Sequence, residues 1–472
     1  MNILFAASEA VPYAASGGLA DVVGSLPKAI NAKGNDCRIV IPMYNAISSE
    51  LREEMKFVTN FTVDVSWRKQ YCGIFTAEKN GVTYYFIDNE YYFSRNGLYG
   101  FYDDCERFVF FSRAVLEMIK YIDFKPDIIN ANDWQTALIP VYYNIYYKYQ
   151  QGYDEIKNIF TIHNIEYQGR YGREVLNELM GIPLYHANLL EYDGYINMMK
   201  GAIETADRIT TVSPSYAWEI LDPWYAHGLD RILVTKQHKL LGILNGIDTD
   251  AFNPETDKAI AENYSVNDIS GKISCKKALI EKLGLDDGDE PIIGIVSRFV
   301  NHKGIDLVRC VFEEIVKIGF KFAVLGSGER IYEDFFREMA ARYPGKVSVT
   351  LGFVPELSKE IYAGADMFLM PSQSEPCGLA QIFSMRYGTI PIVRETGGLR
   401  DSVHDDGGEN GNGFTFKSYN ANDMLDAVKR AKLVYDDKTE WNKLVKRAMA
   451  CDYSWASSAD LYISAYEDLI SK

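Results

Sequence analysis

Four stretches carry residue types that could hold and activate a charged, hydroxyl-rich substrate. Ser16-Gly17-Gly18-Leu19-Ala20-Asp21 sets two glycines ahead of an apolar periodic segment. Glycines let a backbone come close to a ligand, and the helix N-terminus that follows offers N–H groups to an anion. Asp21 could hydrogen-bond a sugar hydroxyl there, although an ordinary βα turn asks for the same glycines. Thr161-Ile162-His163-Asn164 ends an apolar run in a histidine, at the carboxyl end of a strand, where α/β sheets bind ligands. His163 either donates to a sugar oxygen or is a satisfied structural side chain. Val296-Ser297-Arg298-Phe299 with Lys303-Gly304 sets Arg298 just past a strand and Lys303 just before a helix. Two cations converging on one βα loop suit a pyrophosphate, and solvated surface charges are the alternative. Pro371-Ser372-Gln373-Ser374-Glu375-Pro376-Cys377-Gly378-Leu379 follows an apolar run and opens a helix. Its carboxylate could take sugar hydroxyls while free amides take phosphate, and Glu395-Thr396-Gly397-Gly398-Leu399 repeats the arrangement one strand later.

Other chemistries lack their signatures. No G-x-G-x-x-G or Walker A sequence occurs, and Gly326-Ser327-Gly328 lacks the third glycine, which disfavours a nicotinamide dehydrogenase. Seven cysteines are scattered without C-x-x-C spacing and six histidines are equally dispersed, so no structural zinc site is expected. An odd cysteine count without a framework fits a reducing compartment.

The elements that must position these residues alternate short apolar runs with longer amphipathic ones. In the first half, residues 3–7, 38–41, 127–130, 159–163 and 209–212 read as strands, with a helix from about Gly18. In the second half, 292–297, 322–325, 347–351, 367–370 and 390–393 are strands and 306–318 a helix. Strands joined by helices imply parallel sheets, doubly wound in each half. The polar segment 245–254, with Asn-Gly and Asn-Pro turn signals, marks the boundary. Trp455, Leu461, Tyr462, Ala465, Tyr466 and Leu469 fall at helical spacing in a final segment long enough to cross back to the first domain.

The 472 residues allow two or three domains, and 47% hydrophobic with 24% charged residues is ordinary for a globular chain. A net charge of −16 argues against nucleic acid as a partner. No apolar run approaches the length that spans a bilayer, and the N-terminus enters a strand pattern directly, so a cytoplasmic protein is expected.

Taken in order, the Gly-Gly-Leu-Ala-Asp loop, Asn132-Asp133-Trp134-Gln135, Thr-Ile-His-Asn, Thr211-Val212-Ser213-Pro214, Leu244-Asn245-Gly246-Ile247-Asp248, Ser-Arg-Phe with Lys-Gly, Glu-Pro-Cys-Gly-Leu and Thr-Gly-Gly-Leu resemble bacterial glycogen synthases and plant starch synthases, glycosyltransferase family 5. Each motif is modest, but eight in order over the whole chain are specific. The resemblance implies the GT-B fold: two Rossmann-like doubly wound parallel-sheet domains facing a cleft, residues 1–245 and 246–455, with helix 456–472 crossing back. It implies a retaining, metal-independent transfer of glucose from ADP-glucose to an α-1,4-glucan. Arg298 and Lys303 would hold the pyrophosphate and Glu375 the glucosyl hydroxyls, with backbone contacts from Cys377, Gly378 and Leu379. Thr396, Gly397 and Gly398 would lie near the phosphates. Gly18, Asp21, His163 and Asn245 would approach the donor sugar, and Asp133 and Tyr99 would line the acceptor side.

Two positions depart from the family. Lysine often stands two residues before its Gly-Gly, where this chain has Ala15, and its Asp-Trp is often preceded by histidine, where this chain has Asn132. The residues alone leave ADP-glucose and UDP-glucose level, and the resemblance favours ADP. A phosphorylase would need a longer chain and a pyridoxal-bearing lysine motif. A non-catalytic glucan-binding paralogue, to which the 33 tyrosines would be suited, is disfavoured by the intact Glu375, Arg298, Lys303 and His163.

Overall fold

The computed structural model of the chain describes residues 1–405, 407 and 410–471. It divides into two compact units, Met1–Gly246 with Trp455–Lys472, and Ile247–Ser454.

Among the described residues, the first unit holds a nine-stranded sheet. Its strands are β1 (Asn2–Ala6), β2 (Asp36–Pro42), β3 (Lys56–Val65), β4 (Arg68–Lys79), β5 (Val82–Asp88), β6 (Ile128–Asn132) and β7 (Lys157–Ile162). A small antiparallel sheet follows, made of β8 (Arg170–Tyr171), β9 (Glu191–Tyr192) and β10 (Tyr195–Asn197), before β11 (Arg208–Thr211) and β12 (Leu240–Gly242) complete the main sheet. The order is β12-β11-β7-β6-β1-β2-β5-β4-β3, parallel from β12 to β5 and antiparallel beyond it. The central strands are buried on both faces and so read as continuous apolar runs. The long hairpin from β3 to β4 is absent from the βα reading of the sequence. Its inner face is an alternation, with Phe61, Val63 and Val65 buried between exposed neighbours.

The second unit carries β13 (Ile292–Phe299), β14 (Lys321–Gly328), β15 (Val347–Leu351), β16 (Met367–Met370), β17 (Ile390–Arg394) and β18 (Phe414–Phe416). They form one parallel sheet in the order β15-β14-β13-β16-β17-β18. The helix Ile305–Lys317 shows why the layers form. Ile305, Val308, Val311, Phe312 and Ile315 recur on one face and are buried, and Phe312 stacks on Phe322 of β14 with ring centroids 4.3 Å apart.

The final helix, Trp455–Ile470, belongs to the first unit. It buries Trp455, Tyr462, Ala465, Tyr466 and Leu469, whereas Leu461, which shares the apolar spacing, is exposed. Asp460 pairs with Lys33 at 2.6 Å, Asp468 pairs with Arg208, and the Tyr466 hydroxyl donates to Asn130 Oδ1 on β6 at 3.1 Å. Among the described residues no helix is long and apolar enough to cross a membrane.

Candidate active site

Each main sheet has a point where successive connections leave in opposite directions. In open α/β sheets, ligands bind outside the carboxyl ends of the strands at such a point. In the first unit it lies between β1 and β6, and in the second between β13 and β16.

At the first, the loop after β1 carries Ser8 and Glu9. Ser8 Oγ lies 2.7 Å from the Tyr99 hydroxyl, and the buried Glu9 carboxylate accepts from Ser16 N at 2.6 Å and Ser16 Oγ at 2.7 Å. Burial pushes the Glu9 carboxyl up, and the charge of Asp21 adds to that push against the Ser16 bonds. The same burial pushes the Tyr99 hydroxyl up. Asp21 stands in the first turn of the helix Gly18–Ala32, whose N-terminus has no side-chain cap. A Cβ on Gly17 or Gly18 would meet nothing within 4 Å, so these glycines open space in front of the helix. Ala15 is exposed beside them.

Asp133, directly after β6, has φ 57° and ψ −179°, a conformation costly for any residue with a Cβ. The turn carries its Oδ1 to the main-chain N–H groups of His163 at 2.7 Å and Asn164 at 3.4 Å, after β7. Burial pushes the Asp133 carboxyl up to about 7, against those two bonds and with some help from Glu9. His163 Nε2 lies 2.9 Å from Asn132 Oδ1, and burial lowers its imidazole to about 3, so the ring is neutral at physiological pH. Asn245 is buried, and its Oδ1 has no partner among the described residues. Such an atom is costly unless something fills it.

At the second point, Lys303 Nζ lies 2.6 Å from Glu375 Oε2, which also accepts from Ser372 Oγ at 3.1 Å. Both donors converge on one oxygen, and none of the described residues donates to Oε1. Gly304 lets the loops meet: at φ 74°, a Cβ there would stand 2.0 Å from Pro371 O. Gln373 N donates to His302 O at 2.8 Å, and Arg394 Nη1 on β17 donates to Gln373 O at 2.8 Å. Arg298 lies inside β13 rather than past its end, and its side chain is exposed.

The Thr-Gly-Gly-Leu segment differs from its expected role. Thr396, Gly397 and Gly398 are buried, and a Cβ on Gly397 or Gly398 would stand 2.0 Å from Glu375 O or 2.1 Å from Cys377 O. Thr396 N donates to Arg394 O, and Gly398 N is shared by the carbonyls of Glu375 and Pro376 at 3.2 and 3.1 Å. These two amides are therefore taken and unavailable to phosphate. The segment is a bed on which the Glu375 loop lies. Gln381, fully buried, ties the same loop down through Cys377 O and Gly378 O at 3.2 and 3.0 Å. The helix after Leu379 begins at Ala380, so Cys377, Gly378 and Leu379 form the turn before it.

The structure thus groups Glu9, Tyr99, Asp133 and His163 in the first unit, and Lys303, Ser372 and Glu375 in the second. Glu9 escaped the sequence reading, and Ser16 and Ser372 stood in its motifs without a role. A lone acid in the apolar run Ala6-Ala7-Ser8-Glu9-Ala10 was a usable signal for the first, whereas a serine in a polar loop gave none. Phe353, just beyond β15 on the same edge of the sheet as Arg298, is 91% exposed.

Comparison with known proteins bears directly on this geometry. The family model described as Starch synthase catalytic domain matches residues 2–235, and Glycosyl transferases group 1 matches residues 276–448. A glycogen synthase from Anoxybacillus flavithermus is 47% identical over 476 residues, covering 100% of this chain and 98% of that protein. A glycogen synthase from Clostridium botulinum (strain Alaska E43 / Type E3) is 48% identical, covering 99% of each. Among solved structures, the catalytic domain of starch synthase IV from Arabidopsis thaliana, bound to ADP and acarbose, superposes with TM-score 0.92 at 34% identity, covering 100% of this chain and 99% of that one. With two Rossmann-like units of the GT-B class and full-length similarity of this order, the chain belongs to the glycogen and starch synthase family of glycosyltransferases.

Proposed function

We propose that the chain transfers glucose from ADP-glucose to the non-reducing end of an α-1,4-glucan, with retention of configuration and without a metal ion. The observation that carries this reading is the Lys303–Glu375–Ser372 cluster at the second unit's switch point, with the exposed Arg298 on the strand that leads into the Lys303 loop. Likeness to a starch synthase bound to ADP and acarbose supports the choice of nucleotide and glucan. Seven free cysteines support a reducing cytoplasm as its location.

Breaking a glucosyl–phosphate bond builds positive charge on the sugar and negative charge on the leaving group, as in the oxocarbenium-like transition state of glycosidases. The departing diphosphate is a good leaving group, so no strong general acid is needed. Arg298 and Lys303 supply the charge that a divalent ion would otherwise supply. Glu375, with Oε2 tied down, offers Oε1 to the glucosyl hydroxyls. Cys377, Gly378 and Leu379 offer backbone contacts to the donor. Phe353 offers a face on which a nucleobase stacks. From the first unit, Gly18, Asp21, His163 and Asn245 serve the donor sugar, and Asp133 and Tyr99 the acceptor. Attack on the face from which the diphosphate departs gives retention.

Glu375→Gln tests this reading. The amide preserves shape and one acceptor oxygen, so folding persists, while a contact to the reacting sugar is weakened. The expected loss in kcat/KM is at least ~100-fold, corresponding to about 3 kcal/mol at the transition state. A mutant that is folded and turns over at nearly the wild-type rate would remove Glu375 from the mechanism.

A further inference from the structure

We propose that Asn132 is a positioning residue that holds His163 as its Nε2–H tautomer and thereby presents Nδ1 to the substrate as a hydrogen-bond acceptor. The inference rests on the reading above, in which His163 meets the donor sugar.

Asn132 is the last residue of β6 and is 1% exposed. Its Nδ2 donates to Ala6 O of β1 at 3.1 Å and to Asn130 O at 3.0 Å. Both partners are carbonyl oxygens and can only accept, so the amide orientation is fixed. The flipped amide would set Oδ1 against two carbonyl oxygens, with no donor between them. Oδ1 therefore faces His163 Nε2, at 2.9 Å. An amide oxygen can only accept, so the proton on that ring nitrogen belongs to His163. Burial keeps the imidazole neutral, with one N–H in all. That N–H is on Nε2, and Nδ1 carries a bare lone pair.

The main chain holds the ring's base equally firmly. His163 N donates to Asp133 Oδ1 at 2.7 Å, and the neighbouring Asn130 is braced by its Nδ2 on Thr161 Oγ1 at 2.8 Å and by the Tyr466 hydroxyl at 3.1 Å. Among the described residues nothing donates to His163 Nδ1. A bare, partly accessible imidazole nitrogen selects O–H donors. A sugar hydroxyl satisfies it, and a deprotonated phosphate oxygen is repelled by it. This reverses the direction expected from the sequence, in which His163 donates to a sugar oxygen. It also removes His163 as a proton source for the leaving phosphate. Asparagine supplies two donors and one acceptor from a single planar group, which is what this arrangement needs.

Two measurements test the proposal. In protein labelled with ¹⁵N-histidine, long-range ¹H–¹⁵N spectra at neutral pH report which ring nitrogen is protonated, and loss of one set of signals in His163→Gln assigns the residue. The expected pattern is a protonated Nε2 and a bare Nδ1; a protonated Nδ1, or an imidazolium, overturns the proposal. The second uses donor analogues with each glucosyl hydroxyl replaced in turn by fluorine, which accepts weakly and cannot donate. In equilibrium binding, which the pull of fluorine on the transition state does not reach, wild type should take one of them about tenfold more weakly than the parent donor, the loss of a hydrogen bond worth roughly 1.4 kcal/mol. Asn132→Ala should reduce that ratio to within about twofold. A ratio unchanged in a folded Asn132→Ala overturns the positioning role. Absence of any discrimination in wild type, with normal transfer by His163→Ala, overturns the sugar contact as well, and the reading of His163 with it. A merely structural asparagine would alter melting without altering the ratio.

Discussion

Asp133 is held in a backbone conformation that costs about 1–3 kcal/mol, so that its carboxylate can take the main-chain N–H of His163. Its pKa near 7, against about 3.9 in an unfolded chain, carries a sign that can be checked. The folded state binds the proton more tightly, so stability from this group is present below the unfolded pKa and is lost as pH rises through about 7. Asp133→Asn should therefore raise Tm at pH 8 by ~2 °C, with the gain vanishing near pH 4, while transfer activity falls. Scanning calorimetry at the two pH values checks it, and a gain that is larger at pH 4 contradicts the assignment. Ala15 is the second case. It is exposed beside the uncapped N-terminus of the helix Gly18–Ala32, and the loop holds a buried acid in Glu9. Lysine there would add a charge-assisted donor, worth about 1.5–3 kcal/mol when fully used. Ala15→Lys is expected to raise kcat/KM for the donor a few-fold with little change in Tm. Steady-state kinetics showing an unchanged or lower value would mean the site is built around alanine. At this scale the sequence marked charged residues after strands, Glu9 excepted, because they interrupt apolar runs. It did not mark Ser372 or the direction of the His163 hydrogen bond, because both depend on which atoms a loop brings together.

At the scale of elements, the Glu375 loop is positioned by its neighbours on three sides: Gly304 from the β13 loop, Arg394 on β17, and the buried Thr-Gly-Gly turn. This gives the two cations different jobs. Arg298, exposed, should lose transfer activity on replacement by alanine with little loss of stability. Lys303→Ala should lose both, because it leaves the buried Glu375 carboxylate without its partner, at about 1–3 kcal/mol for a pair that retains some solvent access. In both, glucan binding should persist. Melting curves, transfer rates and affinity electrophoresis on glycogen separate these outcomes; a variant that loses glycogen affinity with transfer intact would refute the phosphate role. Most parallel strands of both units could be read directly, since a strand buried on both faces is an unbroken apolar run, whereas the parallel strands β5, β12 and β18 were not read. The β3–β4 hairpin was missed because half its residues face water, and β8 to β10 because two or three residues carry no period.

For the whole molecule, the family could be read from eight motifs kept in order over 472 residues. Nucleotide preference could not, because a base is recognised by stacking and shape rather than by charge. Phe353 became visible as a stacking face only through its exposure at the edge of a folded sheet. The final helix reads in sequence as amphipathic and long enough to cross back to the first domain, but that its Tyr466 reaches a buried asparagine two residues before Asn132 could not be read. The central claim, an ADP-glucose-dependent and metal-independent glucosyl transfer, is tested most directly by one assay. Incorporation of labelled glucose into glycogen is measured from ADP-glucose and from UDP-glucose, each with and without EDTA. The account predicts that ADP-glucose is strongly preferred and that EDTA leaves its rate unchanged. A preference for UDP-glucose, or a rate abolished by EDTA and restored by a divalent ion, would contradict it.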